Sequence, residues 1–202
     1  KRDIELVAGQ NQLNLVLAPS EIMTEDVIVS AVRAGDKTPV AYANLSGEAI
    51  KKQNAGQDLP YMLALTPSLV TTSDAGTGIG YTNFRIRGSD ANRINITING
   101  IPLNDAESHG VFWVNMPDFA SSVGNVQVQR GVGTSTNGAG AFGGTVNMQT
   151  NNLSLEPFAS YEGAAGSFGT VKNTLTAGTG LLNGKFTFDV RLSKINSDGY
   201  VD

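Results

Sequence analysis

The chain has no cysteine and a single histidine, His109, among its 202 residues. The first absence excludes disulfide staples and thiolate chemistry. The second makes a histidine-based metal centre a poor expectation. Charge is scarce as well: 14 basic against 18 acidic side chains leave a formal net charge of −4. Nucleic-acid partners select basic surfaces, so that balance argues against them. No run of about eighteen apolar residues occurs, so no helix of this sequence would span a bilayer. Barrel strands cross membranes with a much weaker signal, and that option stays open. The chain starts Lys-Arg-Asp and stops at "SDGYVD", which reads as a segment of something longer.

Glycine, by contrast, is abundant, with 24 residues. In "GVGTSTNGAGAFGGTVNMQT" the residues Gly138, Gly140 and Gly143 spell G-x-G-x-x-G. A dinucleotide loop needs a buried strand before the first glycine and a helix at the last. Here Thr134–Asn137 form no buried strand, and Thr145–Thr150 alternate as a strand where the helix should open. No helix N-terminus is offered to a phosphate. The glycines read instead as places where backbone must turn or approach closely, and no cofactor is expected.

Along the chain, Ile4/Leu6 and Leu13/Leu15/Leu17 form two short alternating runs, and "TEDVIVSA" is β-prone between polar flanks. Ser46 before "GEAIKKQ" predicts a short capped helix. In "GQDLPYMLALTPSL" Asp58 is placed as N-cap, and Leu59, Met62, Leu63 and Leu65 recur at helical spacing until Pro67, a core-facing stripe. "TTSDAGTGIGYTN" reads as loop. Phe84/Ile86 and Ile94/Ile96/Ile98 alternate with polar residues, Asn99-Gly100 signals a tight turn, and Val126/Val128 mark a further strand. Short helices mixed with these strands predict an α+β domain with a sheet of about four strands. In the last fifty residues "LEPFASYEGAAGSF", "VKNTLTAGT" and "KFTFDVRLS" alternate, with Asn183-Gly184 as a hairpin turn. One apolar and one polar face suits a soluble sandwich or a transmembrane barrel, and periodicity alone does not choose.

Taken in order, these pieces resemble the TonB-dependent receptors of the Gram-negative outer membrane. "NFRIRGSDANRINITINGIPLND" is similar to the plug segment with an Arg-Gly step before a strand and turn. "VGNVQVQRGVGTSTNGAGAFGGTVNMQT" is similar to the plug's closing motif, and "SFGTVKNTLTAGTG" and "GKFTFDVRLSKINSDGYVD" to the first barrel hairpins. "TEDVIVSA" resembles the Ton box. Each piece is weakly specific, and their order carries the resemblance.

The resemblance implies four parts: residues 1–20 ending a carboxypeptidase-regulatory-like β-domain of the kind found in Bacteroidetes receptors, 21–39 as Ton box and linker, 40–150 as plug, and 151–202 as the first strands of a truncated barrel. Thr24, Glu25, Asp26, Val27, Ile28, Val29, Ser30 and Ala31 would bind the C-terminal domain of TonB by strand addition. Arg87 and Arg130 would latch the plug to glutamates on the barrel wall, beyond Asp202. The glycine-rich closing loop would pack against that wall. Tyr81, Asn83, His109, Phe112 and Trp113 would touch the imported substrate, whether small molecule, chelate, peptide or glycan. The other partners implied are the rest of the barrel and the lipid of the outer membrane, the expected location.

Residue by residue, blander readings stand beside these. Arg87 and Arg130 also suit solvated or locally paired cations, and Phe112 and Trp113 also suit core packing. Asp105, Glu107 and His109 lie in one polar loop, where such groups are more often surface than metal ligands. No enzyme is expected, since His109 has no evident nucleophile partner. The alternative function is a soluble cell-surface adhesion or binding domain rich in β-structure.

Overall fold

The computed structural model describes residues 33–35, 37–133, 138, 140–150 and 154–200. The described chain opens with strand β1 (Ala41–Ser46), which runs directly into helix α1 (Gly47–Gln53). Ser46 makes that switch. Its backbone is extended, and its hydroxyl accepts the N–H of Ala49 at 3.3 Å, satisfying one of the orphan donors of the first turn. Glu48 sits in the first turn and Lys51 and Lys52 in the last, the signs that suit the helix dipole.

Helix α2 (Leu59–Met62) is a single turn with Pro60 at its start. Asp58 stands at its N-cap position but does not cap it; its carboxylate accepts the Thr82 hydroxyl at 2.8 Å instead. Burial pushes the Asp58 carboxyl up, against the opposing pull of that bond. Leu59, Met62 and Leu63 are buried as the stripe predicts, whereas Leu65 is 82% exposed. The helix ends before reaching Leu65, so helical spacing no longer sets which way that side chain faces.

Strands β2 (Leu69–Ser73) and β3 (Thr82–Ile86) pair antiparallel as a hairpin, taking in Thr71–Ser73, which the sequence places in a loop. Among the described residues the main sheet has five strands, one more than predicted, in the order β1-β6-β7-β4-β5. It comprises β4 (Ile94–Ile98), β5 (Ile101–Pro102), β6 (Asn125–Arg130) and β7 (Gly144–Gln149) beside β1. The β4–β7 pair is parallel and the others antiparallel. Asn99 and Gly100, both at positive φ, make the tight reversal between β4 and β5.

One face of this sheet carries Val126, Val128, Val146, Met148 and Ile96, buried against Ile50, Leu59, Met62, Leu63, Phe84, Ile86 and Trp113. Each such side chain contributes about 1.5–3 kcal/mol through removal from water. The opposite face is polar yet also buried: Thr97, Gln127, Gln129, Thr145 and Asn147. Gln127 and Asn147 stand opposite one another, with Asn44 and Thr97 beside them, in one row across β1, β6, β7 and β4.

A second sheet follows: β8 (Phe158–Ala165), β9 (Val171–Gly178) and β10 (Asp189–Asn196), antiparallel with β9 in the middle. Asn183-Gly184 makes a turn at positive φ, closing a small Leu182–Phe186 bridge. The strand then starts at Asp189, later than the alternation from Lys185 predicts. This sheet is patterned outward. Tyr161, Leu175 and Leu192 line up across its three strands and are exposed, while Lys172 and Thr174 on the opposite face of β9, and Thr170 just before it, are buried. None of the described helices is long and apolar enough to cross a membrane, which says nothing of crossing by strands.

Candidate functional site

The contact between the two sheets centres on one carboxylate. Asp118 sits at positive φ just before the turn Phe119–Ser122 and is 1% exposed. Its Oδ1 accepts Lys172 Nζ at 2.9 Å, Ser121 Oγ at 2.6 Å and Asn54 Nδ2 at 3.2 Å. Its Oδ2 accepts Arg191 Nη1 at 3.1 Å, Thr174 Oγ1 at 3.0 Å and the Ser193 hydroxyl. A carboxylate has about four lone-pair sites, so six donors saturate it. Lys172 also reaches Ser121 Oγ at 2.8 Å, and Arg191 Nε reaches Ser122 Oγ at 2.9 Å. Burial alone would raise this carboxyl. The bonds from Ser121, Ser193 and Lys172, with the Lys172 charge, more than offset that and bring it down to about 2. The group is therefore ionised at neutral pH, and it ties the five-stranded domain to β9 and β10.

At another place, the loop before β3 and the segment before Trp113 enclose a cleft of about 430 Å³. Tyr81, Asn83, Phe112 and Trp113 all line it, joined by Asp74, Arg85 and Asp90. Arg85 and Asp90 form an exposed ion pair at 3.2 Å. Tyr81 and Phe112 project into the open, whereas Trp113 is buried with its ring 6.1 Å from that of Phe84. The core-packing reading thus holds for Trp113 and not for Phe112. In the loop between β2 and β3, Gly76 rests on the ring of Tyr200, which meets Phe168 of the β8–β9 turn edge-on at 5.3 Å.

His109 does not line the cleft, although its neighbours Ser108 and Gly110 do. Its positive φ belongs to a tight loop in which Asp105 Oδ1 accepts Glu107 N–H, Ser108 N–H and the Ser108 hydroxyl. Those bonds hold the exposed Asp105 carboxyl below its usual range. Among the described residues no three of His, Asp and Glu gather as a metal site would need.

Arg87 and Arg130, far apart in sequence, come to the same corner: the Arg87 guanidinium lies over Gly131, the residue after Arg130. Among the described residues Arg130 reaches only the Pro67 carbonyl, at 3.5 Å, and its buried Nε has no partner. Neither arginine has a carboxylate against it among the described residues. Of the closing glycines, Gly143 and Gly144 pack against the domain itself, while Gly138 and Gly140 have open space around them. A Cβ at Gly143 would collide with the Ser89 side chain, and one at Gly144 would sit 2.6 Å from the Gln129 carbonyl. Thr24–Ala31 and the runs between residues 1 and 17 lie outside the described residues.

Sequence reasoning missed the Asp118 cluster. The available signal was Lys172 and Arg191, two cations on the hydroxyl-rich face of otherwise barrel-like strands.

Comparison with known proteins fits this arrangement. No curated protein matched the sequence. Solved structures did. FpvA of P. aeruginosa, determined with heterologous pyoverdines bound, superposes with a TM-score of 0.65 at 18% identity, covering 80% of this chain and 21% of its own. The alcaligin outer-membrane receptor FauA of Bordetella pertussis gives 0.62 at 19%, covering 80% and 27%. The ferric yersiniabactin uptake receptor FyuA of Yersinia pestis gives 0.58 at 17%, covering 76% and 24%. The chain thus spans about a quarter of the length of these receptors, and at such identity the likeness is one of fold. The model of the TonB-dependent Receptor Plug Domain matches residues 34–145, more than half of the sequence, and the chain belongs to that family.

Proposed function

We propose that the chain is the gating plug and opening wall strands of an active importer in a Gram-negative outer membrane, energised through Thr24–Ala31. The observation that carries this reading is the β8–β10 sheet, whose free face carries Tyr161, Val171, Leu175, Val190 and Leu192, with Asn173 and Lys194 toward one end, and which is joined by polar side chains to the plug. A transmembrane wall needs that pattern, since lipid replaces water outside and a polar lumen lies within. A soluble adhesion domain would have to leave the row Tyr161, Leu175 and Leu192 in water.

The cleft holding Tyr81, Asn83 and Phe112 is the part of the plug that meets the substrate. Arg87 and Arg130, gathered without an acid, are the plug's half of a latch whose carboxylates lie on later wall strands. A guanidinium with an unpartnered buried nitrogen gains most from such a partner. TonB grips Thr24–Ala31 by strand addition, where Val27, Ile28 and Val29 favour an extended backbone.

The experiment is substitution Val27→Pro in the full-length receptor, which removes a backbone donor and fixes φ. TonB binding and uptake should be lost while substrate still binds at the cell surface. Uptake that persists at the level of the unmodified receptor refutes the assignment of the grip.

A further inference from the structure

Any pull applied at residues 24–31 enters the plug through Arg33 and Ala34, and both are fastened to the polar face of the five-stranded sheet. Gln127 treats Ala34 as a neighbouring strand would. Its Oε1 accepts the Ala34 N–H at 2.7 Å, and its Nε2 donates to the Ala34 carbonyl at 2.9 Å. Arg33 Nε donates to Asn147 Oδ1 at 2.7 Å and its Nη2 to the Asn147 carbonyl at 3.1 Å.

Both amides are braced from behind. Gln127 Nε2 also reaches Asn44 Oδ1 at 2.9 Å, and Gln129 Nε2 donates to Gln127 Oε1 at 3.0 Å. Asn147 Nδ2 donates to Thr97 Oγ1 at 2.8 Å. Gln127 and Asn147 are 3% and 2% exposed. Burying amides on a sheet face is costly unless each donor and acceptor is used. Here they are used to hold one peptide unit and one guanidinium.

The chemistry of this contact differs from that at Asp118. No carboxylate takes part, and the bonds to Ala34 join neutral groups, the weaker kind. A hydrogen bond with an ionised donor or acceptor is roughly twice as strong as a neutral one; the clamp has two of these, from Arg33, against six donors, two of them cationic, on the Asp118 carboxylate. In line of pull, the weaker set comes first.

We propose that Gln127 and Asn147 form a breakable clamp on Arg33–Ala34, which sets the load at which the plug begins to open while the Asp118 contact still holds. The inference rests on the reading of residues 24–31 as the point where TonB pulls. It assigns to two side chains a role in releasing the plug that is separate from substrate contact and from the arginine latch.

The test is single-molecule force measurement on the full-length receptor in a lipid membrane, with the C-terminal domain of TonB as handle. Gln127→Leu should shorten the lifetime of the first event under constant load about thirtyfold, as loss of two neutral hydrogen bonds implies. Arg33→Met, which alters the segment and leaves the sheet intact, should shorten it as well. Asn147→Asp should lengthen it, because Arg33 then meets a charge and Thr97 can still donate to the carboxylate. Asp118→Asn should leave the first event unchanged. A first event unaltered by both Gln127→Leu and Arg33→Met overturns the clamp. Failure of the TonB domain to attach to the unmodified receptor refutes the grip instead. The clamp is then judged with a covalent handle at Ser30→Cys, by the same lifetimes.

Discussion

The two sheets of this chain handle water in opposite ways. The five-stranded sheet turns Val126, Val128, Val146, Met148 and Ile96 inward and builds a core on them. The β8–β10 sheet turns Tyr161, Leu175 and Leu192 outward and keeps Lys172 and Thr174 inside. Both alternate with period two, so the difference is not in the local pattern. It lies in what each polar face meets: internal amide partners in one sheet, the Asp118 carboxylate of the neighbouring domain in the other. A strand's periodicity tells that it has two faces, and only its partners tell which face is the inside.

The sharpest way to break the comparison is to remove the carboxylate on which the inward face of the β8–β10 sheet depends. Asp118→Ala leaves Lys172 and Arg191 without their counter-charge, and loss of one partner of a buried pair costs about 3–5 kcal/mol. Protease protection of the plug in the full receptor should fall accordingly, and unchanged protection would show that the contact is not holding it.

Next comes the outward face. Leu175→Lys, in the middle of the exposed row, should cost about 2–4 kcal/mol of folding free energy in a bilayer. The same change in water should be close to neutral, as for most surface substitutions. Equal effects in bilayer and in aqueous solution would erase the distinction between the sheets.

Acid offers a gentler probe. With its carboxyl held at about 2 against an ordinary 3.8, Asp118 contributes stability that is fully present above pH 4 or so and is lost as pH falls through about 2. Plug release followed from pH 5 to pH 1.5 should therefore set in only below about pH 4 for this group. Asp118→Asn should flatten that profile.

The smallest effect is confined to the five-stranded side. Ser46→Ala removes the cap of α1 and should cost about 1 kcal/mol in plug stability, with no change in how β8–β10 respond to Leu175→Lys. Thermal melting of the two variants and their double should show additivity within a few tenths of a kcal/mol.

Much of the fold was legible. The cap at Ser46, the turn at Asn99-Gly100 and the strands through Phe84, Ile96 and Val128 follow from local rules, and the structure keeps them. The extent of α2 was less so: four apolar residues at helical spacing look alike on paper, but the turn stops at Met62 and leaves Leu65 outside. Of the candidate substrate residues, four gather at one cleft and His109 stands beside it, because its loop is shaped by Asp105. The Asp118 cluster escaped for a different reason. Its partners on β9 and β10 lie 54 to 75 positions away, and no local rule links an acid in a turn to a lysine on a distant strand. Gln127 and Asn147 were visible as the polar half of an alternation, which usually signals a solvent face. Here that face is covered.

Strand order has one further consequence. Among the described strands β1 is an edge strand, joined to the sheet through β6 alone, from Ala41 opposite Arg130 to Ser46 opposite Asn125. Taking it away leaves β6, β7, β4 and β5 contiguous, with a complete row of donors and acceptors bared along β6. That row is a template of the right length and register for the departed strand. An excursion that removed β1 would thus be undone by re-annealing onto a preserved edge, and the domain would reset without having to fold again.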